Sequence, residues 1–225
     1  MSITKSRERL TRDRVIDAAL KVMDAEGLDA VSMRRVAREV GVEAMSLYNH
    51  VEDKDDLLRG ICDHVMSGFE FPEDTGDWVE RCKAGARAWR RLLQAHPDMM
   101  RLFAETHGPN PSSLDSLRPT EFAMGLLREG GLSDRDTVQA FHVFGGYIQG
   151  FVMMEGGPMK GQAHGEAMMD ATATIPADIF PVLSAVGRYF AECDADEQFE
   201  FGLDLMIRGL QAKVASDASG ASAAE

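Results

Sequence analysis

The stretch VGVEAMSLYNHVEDKDDL, residues Val40–Leu57, decides the fold of this chain. Gly41 follows an apolar helical run, and apolar side chains then recur four and five positions apart. This pattern predicts a tight turn at Gly41, a short helix over about 43–49 and a further helix from Asp53 or Lys54. The side chains that the pattern turns inward are Val42, Leu47 and Val51.

Two longer helices are predicted before this stretch. Apolar residues recur at three- and four-residue spacing over 11–26, and Gly27 ends that helix. Ser32 begins the next helix as an N-cap, and Gly41 ends it. Two helices joined by a tight glycine turn, with a support helix before them, form a helix-turn-helix, whose second helix enters the major groove of DNA. We therefore expect the short helix to read DNA.

The outward face of the expected reading helix carries small, polar and flat side chains. Asparagine can pair with adenine through two hydrogen bonds, and small apolar groups can contact thymine methyls. Side chains at either end of this helix, and at the start of the preceding one, are placed to reach phosphates. The predicted DNA-contacting residues are Ser32, Arg34, Ala44, Met45, Ser46, Tyr48, Asn49, His50 and Lys54.

The charge is distributed unevenly along the chain. Residues 1–50 carry nine Lys or Arg against eight Asp or Glu, whereas residues 51–225 carry fifteen against twenty-nine, within a total of −13 over 225 residues. Only the N-terminal quarter is therefore suited to approach a polyanion, and the acidic remainder opposes general coating of DNA. With no long apolar run, no signal-peptide pattern and three unpatterned cysteines, we expect a soluble, cytoplasmic protein with no membrane partner.

The remaining periodicity is also helical, so we expect an all-α protein. A three-helix helix-turn-helix DNA-binding domain is predicted over 1–60, a larger helical domain over 61–215, for which the resemblance described below implies ligand binding and dimerisation, and a disordered tail over 216–225. HGPNPSS (107–113) is predicted as a turn, and the glycine- and methionine-rich segment 155–170 as a long loop. The later helices are expected at about 77–95, 98–105, 114–129, 134–154, 178–192 and 195–214.

Over residues 10–60 the chain resembles the DNA-binding region of the TetR family of transcriptional regulators. The resemblance is carried by LTRDRVIDAALKVMDAEGLDAVSMRRVAREVGVEAMSLYNHVEDKDDLL, above all by its EG turn, its R-VA-E-GV block and its LY-HV pair. It places the nine residues named above where the family contacts its operator. One departure is Ala44, where the tetracycline repressor subgroup has glutamine, so base readout at that step is expected to differ.

The rest of the chain is similar to the same subgroup more loosely. Residues 128–157 resemble the eighth helix of that subgroup and residues 196–214 its final helix, the two elements that form a four-helix dimer bundle in such proteins. A homodimer on a near-palindromic operator is therefore expected. The apolar residues assigned to one heptad seam of the final helix are Phe199, Leu203, Met206 and Leu210, with Phe201 and Ile207 placed elsewhere.

A regulator of this kind needs a small-molecule effector that selects between two states. The candidate lining is mostly apolar and aromatic, which suits a flat apolar or aromatic compound. Phe103 and Glu70 stand where the tetracycline repressor has histidines that contact its drug, so tetracycline is not expected as the effector. The predicted lining residues are Trp89, Met99, Phe103, Thr106, Phe122, Phe141, Tyr147 and Phe151.

Two other classes of protein are compatible with a helical chain of this length. An enzyme is disfavoured because the chain has no Glu-x-x-His pairs, no nucleophile elbow and no phosphate-binding glycine loop, and we expect no metal or cofactor. A ligand-independent dimeric DNA-binding protein is the remaining alternative. Within the expected fold, the basic residues Lys5, Arg7, Arg9 and Arg12 form either an arm that reaches DNA or a solvated terminus.

Overall fold

The computed structural model describes residues 9–106, 113–156, 161–192 and 194–222, and in these residues it contains helices and no strand. The chain divides into two compact units, one made of residues 1–70 and 95–121 and the other of residues 71–94 and 122–225. The first unit therefore combines the N-terminal helices with a later segment of the chain. The predicted all-α fold is confirmed.

Helices α1 (Arg12–Glu26), α2 (Met33–Val40), α3 (Ala44–Leu47) and α4 (Lys54–Ser67) belong to the first unit, as does α6 (Met99–Glu105). A 3₁₀ turn, Leu28–Ala30, connects α1 to α2. Another, Leu114–Leu117, packs against α4. The apolar core of the α1–α4 region contains Val15, Val36, Leu47, Leu57 and Ile61, each with no exposed surface. Burial of these faces stabilises short helices that would be marginal alone.

The local signals that end and begin these helices act as predicted. Gly27 and Gly41 have positive φ angles of 87° and 80°, which L-residues with a side chain rarely adopt. The Ser32 hydroxyl accepts a hydrogen bond from the Arg35 amide at 3.2 Å, so Ser32 caps α2. Asp53 caps α4 in the same way through the Asp56 amide at 2.7 Å.

The second unit is built around long helices. They are α5 (Trp78–Ala95), α7 (Arg118–Glu129), α8 (Asp134–Gly156) and α11 (Ala195–Ser222), and the unit boundaries fall near the end of α5 and the start of α7. Two further helices, α9 (Gly161–Ala173) and α10 (Pro181–Val186), pack with the 3₁₀ turn Gly187–Ala191. Helix α8 packs against α11, so the two elements assigned to dimerisation are neighbours within one unit.

The segment 155–170 is not the continuous loop that its glycines predicted, because α9 occupies most of it. A Cβ at Gly165 would lie 2.3 Å from the carbonyl oxygen of Phe190, so this glycine permits close packing within a helix. Gly187 is packed equally tightly, with the Thr172 hydroxyl 2.0 Å from its Cβ position. Both glycines therefore belong to a helix contact instead of a flexible connection.

The C-terminal residues also differ from the prediction, since α11 continues through 216–222, where a disordered tail was expected. Lys213 pairs with Asp217 one turn later at 3.0 Å, and the Ser219 hydroxyl donates to the Ala215 carbonyl at 2.9 Å. Polar contacts along the helix therefore accompany this extension. The predicted turn at 107–112, Lys5, Arg7 and Cys193 lie outside the described residues.

The inward face of α11 differs from the predicted seam. Phe199, Leu203 and Ile207 are almost completely buried, at spacing of four residues, whereas Ile207 had been placed elsewhere. That spacing follows one face of a straight helix against the core of its own unit. Phe201 is 67% exposed and Leu205 is 55% exposed, so a second apolar face of α11 is left uncovered.

Candidate nucleic-acid interface and effector site

The predicted reading helix is a single turn, α3, and its last predicted residues form the turn that follows it. Leu47 has no exposed surface and Val51 is 2% exposed, which anchors this segment in the core. On either side of Leu47 the side chains of Met45 and Tyr48 project outward, with 75% and 48% of their surfaces exposed. A large thioether and a phenol are thus presented to solvent on a rigid base.

All nine predicted DNA-contacting residues belong to the first unit. Six are exposed, namely Ser32, Arg34, Met45, Tyr48, Asn49 and Lys54, and three are half-buried, namely Ala44, Ser46 and His50. Lys54 is the first residue of α4, and Ser32 precedes the first residue of α2, so both stand at helix N-termini. Backbone N–H groups at such positions favour anions, phosphate oxygens included.

The turn after α3 is held by Arg12, a residue that sequence reasoning placed in a possible N-terminal arm. One of its guanidinium nitrogens donates to the His50 carbonyl at 2.9 Å and to Asp56 at 2.7 Å, and the other donates to the second Asp56 oxygen at 2.7 Å. Asp56 also accepts from the Glu52 amide at 2.9 Å. This Arg12–Asp56 clamp joins the start of α1, the turn after α3 and the start of α4.

The clamp has two consequences for the interface. Arg12 belongs neither to an arm that reaches DNA nor to a solvated terminus, because its guanidinium is paired with Asp56 within the first unit. The clamp also lowers the pKa of Asp56 to about 2, chiefly through the Arg12 hydrogen bonds and despite partial burial, which acts in the opposite direction. No local pattern could have revealed this pair, because 44 residues separate its members.

Helix α2 presents a divided set of arginines. Arg35 donates to Glu26 on α1, at 2.6 and 2.9 Å, and to Glu39 at 2.9 Å. The hydrogen bonds from Arg35 lower the pKa of Glu26 and join α2 to the end of α1. Arg34 and Arg38, four residues apart on α2, are exposed. Their spacing places two guanidinium groups on one side of the helix, and Arg38 was not among the predicted contacts.

Three of the predicted effector-lining residues, Met99, Phe103 and Thr106, lie in the first unit. Met99 has no exposed surface, while Phe103 and Thr106 are half-buried. The Thr106 hydroxyl donates to the Leu102 carbonyl at 2.9 Å and lies 3.8 Å from the sulfur of Cys62. Burial raises the pKa of the Cys62 thiol to about 11, so this thiol is un-ionised at neutral pH.

The other five, Trp89, Phe122, Phe141, Tyr147 and Phe151, lie in the second unit, each half-buried. Tyr147 and Phe151 pack on Phe199 of α11, with ring centroids 5.6 and 5.2 Å away. The Tyr147 hydroxyl donates to the Phe199 carbonyl at 2.9 Å. These two side chains therefore have a structural role in joining α8 to α11, in addition to the role predicted for them.

Arg90 completes that aromatic cluster from α5. Its guanidinium carbon lies 4.6 Å from the centroid of Phe199 and 5.2 Å from that of Phe151, within the range of cation–π attraction. The same group donates to Glu155 at 3.0 Å and forms an ion pair with Asp196 at 2.8 Å. Only 8% of Arg90 is exposed, so the ion pairs and the aromatic faces together compensate for the burial of its charge.

Arg90 is also one rung of an ion-pair ladder between α5 and α11. Lys83 pairs with Asp204 at 2.6 Å and Arg87 pairs with Glu200 at 2.6 Å, so the partners run in opposite directions along the two helices. The hydrogen bond to Glu200 raises the pKa of Arg87, and that to Asp204 raises the pKa of Lys83. The ladder sets the register of α11 on α5.

Among the described residues, no group of three or more His, Cys, Asp or Glu side chains could hold a metal ion. None of the helices in that part of the chain is long and apolar enough to cross a membrane.

Two families of known protein domains match consecutive parts of the chain. The family described as bacterial regulatory proteins, tetR family, matches residues 15–61, and the tetracyclin repressor-like C-terminal domain matches residues 71–214. The transcriptional repressor DrrR1 of Streptomyces coeruleorubidus is 34% identical over 223 residues, which cover 92% of this chain and 79% of that repressor.

Solved structures show the same likeness. ActR of Streptomyces coelicolor in complex with actinorhodin has a TM-score of 0.79 and 33% identity, covering 92% of this chain and 97% of that one. BioQ with its double-stranded DNA operator has a TM-score of 0.63 and 26% identity, covering 91% of this chain and 99% of that one.

A helix-turn-helix unit combined with a helical second unit defines a DNA-binding transcriptional regulator. The chain belongs to the TetR family. Since that family consists of regulators, the enzyme alternative is not supported.

Proposed function

We propose that the chain is a homodimeric, cytoplasmic repressor that occupies a near-palindromic operator and is released by a flat apolar or aromatic effector. The observation that carries the DNA-binding part is the outward display of Met45, Tyr48 and Asn49 on a base fixed by buried Leu47 and by the Arg12–Asp56 clamp. A rigid base holds base-contacting side chains in register with the groove. Repression follows if the bound dimer blocks access to a promoter.

The nine predicted residues divide by chemistry into two groups in this proposal. Asn49 reads a base edge through its amide, and Ala44 and Met45 contact thymine methyls or bases, with Ser46 and His50 beside them. Tyr48, Lys54, Ser32 and Arg34 contact phosphates and so set the position of the reading turn without selecting sequence. We add Arg38 to the residues proposed to contact phosphates, because it is exposed and lies near Arg34.

Two uncovered apolar faces support the homodimer. On α11 these are Phe201 and Leu205, and on the neighbouring α8 they include Val143, Met153 and Met154, which are 58%, 80% and 59% exposed. Exposed apolar side chains of this size are unfavourable in water, and their presence on two neighbouring helices favours an interaction site. Two copies of α8 and α11 would bury it as four helices and place the reading turns about 34–36 Å apart, one turn of B-DNA.

An effector is supported by the mostly apolar set of predicted lining residues and by the relative that was solved with actinorhodin. A compound that binds better to a state with altered reading heads lowers operator affinity by its difference in affinity for the two states. The ligand-independent alternative is not favoured. It assigns no role to the apolar residues predicted to line an effector site, and ActR was solved in complex with small molecules.

The first test is selection of an operator from random DNA, followed by gel-shift titration at stated salt. Tyr48→Ala and Asn49→Ala are compared with Tyr189→Ala, which removes a tyrosine of similar exposure, 46% against 48%, from the second unit. We expect saturable binding by a dimer that is weakened about tenfold by each of the first two substitutions and unchanged by the third. Equal binding by all four proteins would contradict the proposed interface.

The effector is tested separately with actinorhodin and a panel of flat aromatic compounds. A compound of the proposed class should raise the melting temperature of the protein, because it binds the folded state, and should release the selected operator in the gel-shift assay. If no compound moves either quantity, the repressor acts without an effector of this class.

A further inference from the structure

The methionines of the first unit differ sharply in their exposure to solvent. Among the described residues of that unit, Met45 on α3 has 75% of its surface exposed. The other methionines there are buried or half-buried, namely Met23, Met33, Met66, Met99 and Met100. Two-electron oxidants convert an accessible methionine thioether into a sulfoxide. Within the described part of the first unit, Met45 is therefore the methionine most open to such an oxidant.

The backbone around Met45 is fixed, so its exposure follows from the fold. The Ser46 amide donates to the Glu43 carbonyl at 2.9 Å, and the Val51 amide donates to the Leu47 carbonyl at 3.0 Å. Leu47, two residues after Met45, has no exposed surface. Side chains two positions apart lie on different sides of a helix, so the burial of Leu47 directs Met45 towards solvent.

Met45 shares its side of the reading segment with two other proposed DNA contacts. Tyr48 follows three residues later with helical backbone angles, Asn49 follows four residues later, and both are exposed. Oxidation of Met45 places a polar S=O group where an apolar side chain is proposed to meet a base. Burial of that group against DNA without a hydrogen-bond donor costs free energy, so the oxidised protein binds DNA less tightly.

The two cysteines of the described residues are poor competitors for the same oxidants. Cys62 and Cys82 are buried, and burial raises the pKa of each thiol to about 11. Because the thiolate is the reactive form of cysteine, both side chains react slowly at neutral pH. The thioether of Met45 is thus a better target than either thiol.

Two further exposed methionines lie on α8, in the second unit. Met153 and Met154 are 80% and 59% exposed within a single chain. The proposed homodimer would cover both side chains, whereas the reading turn must stay accessible for DNA to reach it. Oxidation on α8 is nevertheless a rival route to loss of DNA binding, because it would act through the dimer.

We infer that Met45 is an oxidation site through which a two-electron oxidant, such as hydrogen peroxide or hypochlorous acid, weakens operator binding. This inference rests on the proposed function, since operator binding is the property that oxidation changes. Bound DNA covers the sulfur, so the oxidant acts on the free protein and delays its return to the operator. Methionine sulfoxide reductase restores the thioether.

The step with hydrogen peroxide is balanced. The Met45 sulfur attacks one peroxide oxygen, an S–O bond forms and the O–O bond breaks. The sulfur is oxidised by two electrons, which leave with the other oxygen as hydroxide. The proton on the transferred oxygen passes to that hydroxide, so the products are the sulfoxide and one water molecule.

The test treats four proteins with hydrogen peroxide and then removes the peroxide with catalase. They are the wild type, Met45→Leu, Met45→Gln and the double variant Met153→Leu with Met154→Leu. Peptide mass spectrometry measures the sulfoxide fraction at each methionine, and gel-shift titration measures affinity for an operator selected with the untreated wild type. Because Met45 is itself a proposed base contact, each protein is compared with its own untreated sample.

We expect the treatment to weaken operator binding about tenfold in the wild type and by the same factor in the double variant on α8. Met45→Leu should bind equally before and after treatment, because leucine has no oxidisable sulfur. Untreated Met45→Gln, whose amide is polar like a sulfoxide, should bind less tightly than untreated Met45→Leu. Methionine sulfoxide reductase with dithiothreitol should restore the affinity of the treated wild type, and saturating operator should slow oxidation of Met45.

A loss in treated Met45→Leu as large as that in the wild type overturns the inference, as does a sulfoxide at Met45 with unchanged affinity. Protection of the double variant also overturns it, because the effect then belongs to α8. A wild-type protein that selects no operator contradicts the proposed function. In that case, oxidation of Met45 no faster than that of half-buried Met33 and Met100 rejects the oxidation site on its own.

Discussion

Gly202 of α11 and Tyr147 of α8 approach so closely that a methyl group on Gly202 would stand 2.1 Å from the tyrosine hydroxyl oxygen and 2.4 Å from its ring. The hydroxyl is held there by its hydrogen bond to the Phe199 carbonyl, and the ring is stacked on Phe199. A glycine that costs helix propensity is thus required by packing, at the place where the two proposed dimer helices meet.

Gly202→Ala is therefore expected to destabilise the protein by about 2 kcal/mol, since overpacking outweighs the gain in helix propensity. The control is Gly125→Ala on α7, where a Cβ would meet no atom within 4 Å and the change should stabilise by up to about 1 kcal/mol. Urea unfolding of both variants measures the difference. In a Tyr147→Ala background the cost of Gly202→Ala should largely disappear, and its persistence would show that another contact is responsible.

The Arg12–Asp56 clamp predicts a specific dependence of stability on pH. Because the pKa of Asp56 is lowered to about 2 in the folded state, while an unfolded aspartate titrates near 3.9, the clamp stabilises the fold above about pH 4. That contribution is lost as pH falls towards 2. At pH 7, Asp56→Asn should be less stable than the wild type, and the two free energies of unfolding should converge as the pH approaches 2.

Removal of the other partner tests the same clamp through DNA binding. Arg12→Ala leaves Asp56 without its main partner and frees the His50 carbonyl, which should cost about 2 kcal/mol in urea unfolding at neutral pH. Operator affinity, measured under conditions where the variant remains folded, should also fall because the reading turn loses its support. An arm that merely touches phosphate would instead leave stability unchanged.

Arg34, one of the two exposed arginines of α2, is predicted to contribute charge and no sequence selectivity. Arg34→Ala should weaken binding to the operator and to unrelated DNA by the same factor, and the slope of log affinity against log salt should fall in magnitude by about one. Arg128→Ala, which removes an exposed arginine of the second unit, is the matched control. A selective loss at one base position would reassign Arg34 to base reading.

The ion pairs between α5 and α11 should contribute unequally to the free energy of unfolding. Arg90 is almost buried and contacts two carboxylates and two rings, so Arg90→Ala is expected to cost about 3 kcal/mol by stranding Glu155 and removing the cation–π contacts. The Lys83 pair has a half-exposed partner, and Lys83→Ala should cost less than about 1 kcal/mol. Similar costs for the two variants in urea unfolding would contradict this distinction.

The sequence was most informative where one residue determines its own neighbourhood. Gly27, Gly41 and Ser32 end or begin helices through their own backbone or hydroxyl, so their roles follow from type and spacing. Partners distant in sequence had no such signal. Asp98 would be expected to cap its own helix, α6, but its carboxylate accepts a hydrogen bond from the Leu28 amide, 70 residues away. That contact depends on how α6 is packed against the end of α1.

Glycine was also the source of the clearest error in the predicted fold. Gly165 and its neighbours indicated a loop. A sequence does not distinguish a glycine that makes a loop flexible from a glycine that allows two backbones to pack closely. Only the approach of the Phe190 carbonyl distinguishes them. Likewise, which apolar face of α11 meets its own core could not be read from periodicity alone, since Phe201 and Ile207 both fit a helical pattern.

The composition of the first unit has a practical meaning for building chimeric sensors. Residues 95–121 belong with residues 1–70, so an exchange of N-terminal segments between two relatives cuts through one compact body. A transplanted N-terminal segment would lack Asp98, whose carboxylate accepts a hydrogen bond from the Leu28 amide, and would instead contact the corresponding residue of the other protein. Grafts that carry both segments together should keep the new operator preference, whereas grafts cut after residue 60 should lose affinity even with every base-contacting side chain intact.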